Sequence, residues 1–259
     1  MYDRIIELVK STKSIVFDRK LQEDIKMKGA ADFVTAVDTG ISNYIKKELD
    51  KITEGYGFFS EEEDGSLSDP CWILDPIDGT TNLVYGYGLS SVSLALYSGG
   101  EIVFGVVYNP YTDECFTSEK GKGAFYNGEA IHVSDRAFSD SIVEFGAGST
   151  KKHLADENFE LGKIIFKQVV DLRRICSSAL SICYIAQGRI DGYFEKVLKP
   201  WDIAAGYLIL NEAGGCMTDY EGKKISFAGP TSVIVGNPEV QARLTEIIQG
   251  FYADKEADR

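Results

Sequence analysis

The chain contains an apolar segment that runs directly into two carboxylates separated by a proline, in the sequence WILDPIDGTTN. In a continuing strand Asp75 and Asp78 would face opposite sides of the sheet, because side chains alternate along a strand. Pro76 has no N–H to donate, so a central strand is not expected to continue through it. Gly79 then permits a sharp turn. A kinked exit would therefore gather both carboxylates and the Ile77 carbonyl around one point.

The residues after this turn have the composition of a helix start. The run TTN resembles a helix N-cap, which would leave the N–H groups of Gly79, Thr80 and Thr81 pointing outward to bind an anion. Carboxylates for a cation beside amides for an anion are the arrangement of a metal-assisted phosphate site. An Asp-Gly turn at the end of a strand is also a common structural feature, so this motif alone leaves both interpretations open.

Charge and residue content limit the classes of partner. The net charge of -13 would repel nucleic acid and anionic membranes, so neither is expected as a partner. It would also repel an anionic substrate unless a bound cation reverses the local field. The chain has 2 histidines, which nearly excludes a histidine-rich zinc site and leaves few candidates for a Ser-His-Asp triad. Any metal site should therefore use oxygen ligands and hold Mg²⁺, Mn²⁺ or Ca²⁺.

The 5 cysteines are odd in number and no pair has CxxC spacing, which is typical of a reducing cytosol. The N-terminus interleaves charged and apolar residues and lacks the apolar core of a signal peptide. No apolar run approaches the roughly 20 residues needed to cross a bilayer. We therefore expect a cytoplasmic protein.

Hydrophobic periodicity predicts an N-terminal part rich in antiparallel strands and a smaller C-terminal part in which strands and helices alternate. We expect helices over 2–17 and 38–52, and an antiparallel meander over 90–131. The later part should contain strands at 141–145, 169–173, 192–195, 216–218 and 232–235, and helices near 156–167, 178–187, 202–213 and 238–249. We place the subdomain boundary at the end of the meander, giving subdomains of residues 1–138 and 139–259.

A second acidic motif lies far downstream, in the sequence KPWDIAAGYLILNEAGG. Its aspartate, Asp202, is expected to cap a strongly helical run. An N-cap of this kind is an ordinary structural feature worth about 1 kcal/mol. The motif acquires a functional meaning only beside the others.

Four motifs in this order resemble those of the inositol monophosphatase family, within the larger sugar-phosphatase superfamily. They are DFVTAVD (residues 32–38), FSEE (59–62), DPIDGTTN (75–82) and PWDIAAGYLILNEAGG (200–215). Ser60 stands where the family usually has glycine. The similarity covers nearly the whole chain. It implies an α/β fold built as a layered αβαβα sandwich. It also implies Mg²⁺-dependent hydrolysis of small phosphate monoesters such as inositol monophosphate, by metal-activated water.

The resemblance implies ligands for two metal ions. Glu61, Asp75 and the Ile77 carbonyl would hold the first. Asp75, Asp78 and Asp202 would hold the second, so that Asp75 bridges the two ions. Two or three Mg²⁺ ions are implied in all, with Mn²⁺ as an alternative, and the third would lie near Glu61 and the glutamate that follows it.

The same resemblance implies catalytic and phosphate-binding residues. Asp38 and Thr80, together with Glu61, would orient and deprotonate the attacking water. Gly79, Thr80 and Thr81 would hold the phosphate. The chemistry is consistent with this assignment, because converging carboxylates would repel one another without a cation. Divalent ions remove that penalty and neutralise charge on the transferring phosphoryl group.

The substrate pocket is less well defined by the sequence. By resemblance, Asp78 and Glu195 would bind hydroxyl groups of a small phosphorylated polyol or sugar. The segment RRICSSA is similar to the family's R-x-x-G-[ST]-A-A, but puts serine where glycine is frequent, and Ser178 is expected at the pocket floor. Three basic residues near the mouth could hold a second phosphate or could be surface ion-pair partners: Arg173, Arg174 and Lys199.

Several alternatives stay open at this stage. A second phosphate site would make the chain a fructose-1,6-bisphosphatase or a dual-activity enzyme. A nucleotide phosphatase or a non-catalytic metal-binding regulator is a further alternative. Members of the family are usually dimers or tetramers and the sequence does not choose between them; we expect a homodimer. The segment KMKGAA, residues 26–31, is expected to form either a mobile lid or a solvated turn.

Overall fold

The computed structural model describes residues 1–29, 32–63, 65–148 and 151–257. The segment predicted to be a lid or a turn lies partly outside these ranges, at residues 30 and 31. Its described part forms one strand of a short antiparallel hairpin. No helix in the described ranges is both long and apolar enough to cross a membrane.

The helices are α1 (Tyr2–Ser11), α2 (Lys13–Val16), α3 (Arg19–Glu23), α4 (Ala36–Leu49), α5 (Thr80–Val84), α6 (Ala155–Phe166), α7 (Ser178–Ala186), α8 (Pro200–Glu212) and α9 (Pro238–Ala257). Short 3-10 turns lie at Phe138–Asp140 and Lys152–Leu154. The predicted single helix over 2–17 is interrupted at Thr12, whose buried hydroxyl donates to the Val9 carbonyl (2.6 Å). A side chain that bonds the backbone in this way competes with regular helical pairing.

The strands are β1 (Ile25–Gly29), β2 (Asp32–Thr35), β3 (Gly57–Ser60), β4 (Cys71–Asp78), β5 (Ser91–Ser98), β6 (Glu101–Asn109), β7 (Glu114–Glu119), β8 (Ala124–Tyr126), β9 (Glu129–Ile131), β10 (Ile142–Phe145), β11 (Asp171–Arg173), β12 (Gly192–Leu198), β13 (Cys216–Thr218) and β14 (Thr231–Gly236). Strands β5 to β9 form the predicted meander. The later strands and helices agree with prediction to within a few residues, except that α9 extends well beyond residue 249.

The strands form two main sheets with different connectivity. The larger has the order β3-β4-β5-β6-β7-β8-β9 and is antiparallel except for the parallel pair β3–β4. The smaller has the order β11-β10-β12-β14-β13 and mixes parallel and antiparallel pairs. The predicted division into an antiparallel-rich sheet and a smaller α/β layer is therefore confirmed. The boundary at residue 138 stays a prediction.

Helices cover both faces of each sheet and give the expected αβαβα order. Apolar side chains of α1, α2 and α4 pack on the outer face of the larger sheet. Helices α7 and α8 fill the space between the two sheets. Helices α6 and α9 cover the outer face of the smaller sheet. Because Trp72 packs in the outer layer and Ile73 in the central one, the alternation along β4 directs Asp75 toward α7 and α8.

One expectation about β4 is wrong. The strand does not end at Pro76 but continues to Asp78, and its pairing with β5 shifts from Asp75–Ser93 to Asp78–Ser91. This shift is a β-bulge, a site where proline is tolerated because no ladder N–H is needed. The pairing of β4 with β3 ends at Leu74, so no β3 residue pairs with Pro76 and its missing N–H costs no ladder hydrogen bond on that side.

Candidate active site

Asp75 lies at the centre of a group of acidic residues. The residue is 2% exposed, and its Oδ1 has no hydrogen-bond partner. Burial raises the pKa of the Asp75 carboxyl well above its usual value, and the negative charges of Glu61 and Asp78 raise that pKa further. A buried carboxylate oxygen without a donor is costly unless a cation or a proton compensates it.

Glu61 and Asp202 approach Asp75 from two different secondary-structure elements, β3 and α8. Glu61 directly follows β3, and its N–H donates to the Leu74 carbonyl (3.4 Å), which places it beside Asp75. Helix α8 begins at Pro200 with Lys199 as its N-cap, so Asp202 is the third helical residue and not the cap that the sequence predicts. Its carboxylate accepts the Lys199 N–H (2.7 Å).

The pKa of Asp202 records how close these groups are. Burial raises the Asp202 pKa well above its usual value, the Lys199 N–H lowers it, and the charges of Asp78 and Glu61 raise it. The predicted ligands Glu61, Asp75, Asp78 and Asp202 therefore lie within electrostatic reach of one another.

Asp78 is held by the beginning of α7. The Ser177 hydroxyl and the Ala179 N–H (2.9 Å) donate to its Oδ2, and the Ser178 N–H donates to its Oδ1 (3.2 Å). Burial raises the pKa of Asp78 to about 6, although these hydrogen bonds act in the opposite direction. Asp78 therefore joins the larger sheet to the central helices, in addition to its predicted role as a metal ligand.

Asp38 and Thr80 form the predicted pair. Asp38 is fully buried in the first turn of α4, where its Oδ2 accepts the Thr35 N–H (2.8 Å) and hydroxyl (2.6 Å). The Thr80 hydroxyl lies 3.4 Å from Asp38 Oδ1 and 3.1 Å from the Ile77 carbonyl, either of which accepts its proton. Burial raises the pKa of Asp38 against the lowering effect of Thr35, and the charge of Glu62 raises it.

The turn at Gly79 is sterically specified. Gly79 has a φ of +87°, and a Cβ at this position would lie 3.1 Å from the carbonyl oxygens of Cys176 and Leu89. Having no side chain, it leaves the first-turn N–H groups of α5, at Thr80 and Thr81, without a side-chain cap. The predicted phosphate-binding residues thus stand together at one helix start.

The donor set fits a hard divalent cation. It consists of carboxylate oxygens around an orphaned Asp75 oxygen, and oxygen ligands are those that Mg²⁺ prefers. Among the described residues, no three Asp, Glu, His or Cys side chains already stand in the tight arrangement of metal ligands. The assignment of Glu61, Asp75, Ile77, Asp78 and Asp202 as ligands stays a prediction.

A cavity of about 150 Å³ adjoins the acidic group. Its polar lining comes from Glu144, Arg174, Ser177, Ser178, Tyr193 and Glu195. The Tyr193 hydroxyl donates to Glu195 Oε2 and lies 3.1 Å from the Ser178 hydroxyl. Burial raises the pKa of Glu195 to about 7 against the lowering effect of Tyr193.

The three basic residues do not share one location. Arg174 lines the cavity, with its guanidinium 5.5 Å from the Phe145 ring centroid. Arg173 is exposed at the sheet edge and ion-paired with Asp171, and the Lys199 ammonium lies 5.9 Å from the Trp201 ring. Of these three basic residues, Arg174 is the one that lines this cavity.

Ser178, the serine expected at the pocket floor, lines the cavity together with Cys176. Cys176 has a φ of +62°, so the residue in a conformation that favours glycine is a cysteine and not a serine.

Two residues of the candidate site were not singled out from the sequence. The Asn82 amide donates to the carbonyls of Leu89 (2.7 Å) and Ile175 (2.8 Å), which ties the phosphate turn to the segment before α7. Glu144 lines the cavity from β10. Asn82 lies within the DGTTN motif, and Glu144 is a single acid in an otherwise apolar strand. Both patterns could have drawn attention.

Comparison with known proteins gives a consistent result. The model of the inositol monophosphatase family matches residues 2–251. Inositol-1-monophosphatase of Rhizobium meliloti is 40% identical over 235 residues, covering 87% of this chain and 86% of that protein. Fructose-1,6-bisphosphatase/inositol-1-monophosphatase of Aquifex aeolicus is 34% identical over 91% of this chain and 89% of its own length. Nus factor SuhB of Escherichia coli is 35% identical over 84% and 82%.

The solved structure of the IMPase of Thermotoga maritima superimposes with a TM-score of 0.90 at 30% identity, covering 98% of each chain. The names of the family and of most of these relatives indicate a phosphatase, and the fold is that of the solved relative. The predicted resemblance is confirmed, and the chain belongs to the inositol monophosphatase family.

Proposed function

We propose that this chain is a Mg²⁺-dependent phosphatase that releases phosphate from a small phosphorylated polyol, with inositol monophosphate as the representative substrate. The observation that carries the proposal is the orphaned Asp75 oxygen at the centre of the acidic group. It lies beside the uncapped start of α5. Cation-binding and phosphate-binding groups thus adjoin each other at the end of β4.

The proposed ion ligands are Glu61, Asp75 and the Ile77 carbonyl for one Mg²⁺, and Asp75, Asp78 and Asp202 for another. Mg²⁺ there would neutralise charge on the phosphoryl group and the leaving oxygen and lower the pKa of the attacking water. Asp78 can serve this role without reorientation, since α7 already holds both of its oxygens.

Residues of the chain would position the water and the phosphate. The Thr80 hydroxyl can accept a hydrogen bond from the water while it donates its own proton to Asp38 Oδ1. Because burial raises the pKa of Asp38, its carboxylate is a stronger proton acceptor than an exposed one. Glu61 would support the same water from the other side, and the N–H groups at Gly79 and Thr80 would hold the phosphoryl oxygens.

The test is phosphate release from inositol-1-phosphate by the purified protein, with Mg²⁺ and with excess EDTA. We expect turnover only with a divalent ion, and at least a roughly 100-fold loss in Asp75→Asn. Asp140→Asn is a matched control, because this aspartate is exposed on a 3-10 turn. Absence of turnover of every small phosphate ester at every divalent concentration would refute the proposal.

A bisphosphatase or dual activity is the second candidate, and the position of Arg174 in the cavity favours it. The name of the Aquifex relative includes both activities. Arg174→Ala should reduce turnover of fructose-1,6-bisphosphate about tenfold more than that of inositol-1-phosphate, if the guanidinium binds a second phosphate. Arg173→Ala is the matched control, since Arg173 pairs with Asp171 at the sheet edge. Equal losses on both substrates would exclude this role.

A regulatory role without catalysis is a third candidate. The name of the Escherichia coli relative, a Nus factor, is consistent with such a role. A pure binder would not need the Thr80–Asp38 pair. If Asp75→Asn abolishes turnover but leaves the biological role intact, that role is separate from catalysis. The homodimer and the cytoplasmic location stay predictions.

A further inference from the structure

The cavity beside the acidic group is bordered by two carboxylates on neighbouring strands. In the parallel pairing of β10 and β12, Glu144 is opposite Tyr193, and Glu195 lies two residues beyond Tyr193. All three therefore project from the inner face of the smaller sheet, toward α7. The flanking residues of β10, Val143 and Phe145, pack in the outer layer, as this alternation requires.

The two oxygens of Glu144 have different surroundings. The residue is 1% exposed, and its Oε1 accepts the Ile175 N–H (2.6 Å). Its Oε2 has no hydrogen-bond partner. The Ser181 hydroxyl is close enough to lower the pKa of the Glu144 carboxyl, but it donates to the Ser177 carbonyl (2.7 Å) and not to Oε2. A fully buried carboxylate oxygen beside a cavity is a strong acceptor that lacks a donor.

Glu195 is engaged differently. Its Oε2 accepts the Tyr193 hydroxyl, which is also within hydrogen-bond distance of Ser178. A methyl group at Gly146 would overlap the Glu195 carboxylate, which would then have to move. The cavity is thus shaped around acceptor groups. Its volume of about 150 Å³ equals that of roughly five water molecules, which is enough for a hydroxylated ring or short polyol.

We propose that Glu144 is a specificity-determining residue whose Oε2 accepts a hydrogen bond from one hydroxyl of a phosphorylated polyol, while Glu195 accepts from another. The inference rests on the proposed phosphatase function and adds to it a residue that contacts the leaving group. In its ionised form a carboxylate only accepts hydrogen bonds. Above about pH 7, where Glu144 and Glu195 are mostly ionised, the two therefore select a leaving group with at least two hydroxyl donors. Leaving groups without hydroxyls would leave both acceptors unsatisfied.

The test is the Glu144→Gln variant on two substrates. The amide oxygen of glutamine can still accept the Ile175 N–H, but its NH₂ group cannot accept from a hydroxyl. For inositol-1-phosphate we expect kcat/KM to fall about 10- to 100-fold, mainly through KM. For 4-nitrophenyl phosphate, whose leaving group presents no second hydroxyl, the loss should be at least tenfold smaller. Equal losses on both substrates would show that Glu144 does not contact the leaving group, and would overturn the proposal.

Glu114→Gln is the matched control. Glu114 is a buried glutamate on β7 that pairs with Arg189 (2.5 Å) and accepts the Tyr184 hydroxyl (2.9 Å), and it does not line the cavity. Its removal should affect both substrates alike. A substrate difference as large as that in Glu144→Gln would overturn the proposal, because general loosening of the protein would then account for both variants.

A second measurement uses the wild-type protein and does not depend on the folding of a variant. Among inositol-1-phosphates that each lack one hydroxyl, at least three should lose about tenfold in kcat/KM, one each for Asp78, Glu195 and Glu144. If two hydroxyls or fewer matter, Glu144 binds none and the inference fails while the phosphatase function stands. If the wild type hydrolyses neither inositol-1-phosphate nor 4-nitrophenyl phosphate, the proposed function fails and this inference fails with it.

Discussion

The charge of Glu144 should make the stability of the metal-free protein depend on pH. Burial raises the pKa of this carboxyl from 4.5 to about 7, against hydrogen bonds from the Ile175 N–H, and the charge of Glu195 raises it. A folded-state pKa above the unfolded value means that the folded protein holds its proton more tightly. The contribution of Glu144 to stability is therefore fully present below pH 4.5 and is lost as the pH rises through about 7.

The magnitude follows from the two pKa values. At about 1.4 kcal/mol per pKa unit, a rise from 4.5 to about 7 corresponds to about 3 kcal/mol in total. Roughly 2.5 kcal/mol of it falls between pH 5 and pH 8, because at pH 5 the unfolded carboxyl is already mostly ionised. Glu144→Gln removes this titration, so the variant should gain about that much stability relative to wild type over the same range.

Urea denaturation in EDTA at pH 5, 6, 7 and 8, followed by tryptophan fluorescence, measures the effect. Subtracting the variant from the wild type cancels most of the titration of the other carboxylates. Glu195→Gln should behave in the same direction, because burial also raises the Glu195 pKa to about 7. A difference in free energy of unfolding between wild type and Glu144→Gln that is the same at pH 5 and pH 8 would refute the reasoning.

Two further predictions concern the same region. Asp75→Asn should raise the free energy of unfolding in EDTA by about 1–3 kcal/mol at pH 8, since it removes a buried charge, and Mg²⁺ should raise the melting temperature of the wild type more than that of this variant. Gly146→Ala should destabilise the protein by about 1–3 kcal/mol through overlap with Glu195. Gly229→Ala, where a Cβ meets nothing within 4 Å, is its control. Equal melting temperatures of the two alanine variants would contradict this expectation.

Local sequence determined much of the fold. The meander from β5 to β9 is predictable because alternating apolar residues and Gly-rich turns act between neighbours in the chain. The start of α4 is also encoded by neighbouring residues, since Thr35 and Asp38 form a capping box. The course of β4 through Pro76 was not predictable, because it depends on where β3 stops pairing and on a bulge against β5.

The motifs indicated which acids matter, but their surroundings depend on packing between distant segments. Nothing near Asp78 in the chain announces that the start of α7 binds its carboxylate. Arg173 and Arg174 are adjacent in sequence, yet one pairs at a sheet edge and the other lines the cavity.

By itself the sequence determined the family, because four short motifs carry the resemblance. That resemblance implied the layered fold and the acidic residues that the proposed chemistry needs. The tertiary structure alone decided that Glu144 adjoins Glu195 across β10 and β12, with one oxygen unpartnered beside the cavity. The physical reason is that hydrogen-bond satisfaction of a buried group depends on every segment packed around it, and those segments are far apart in the chain.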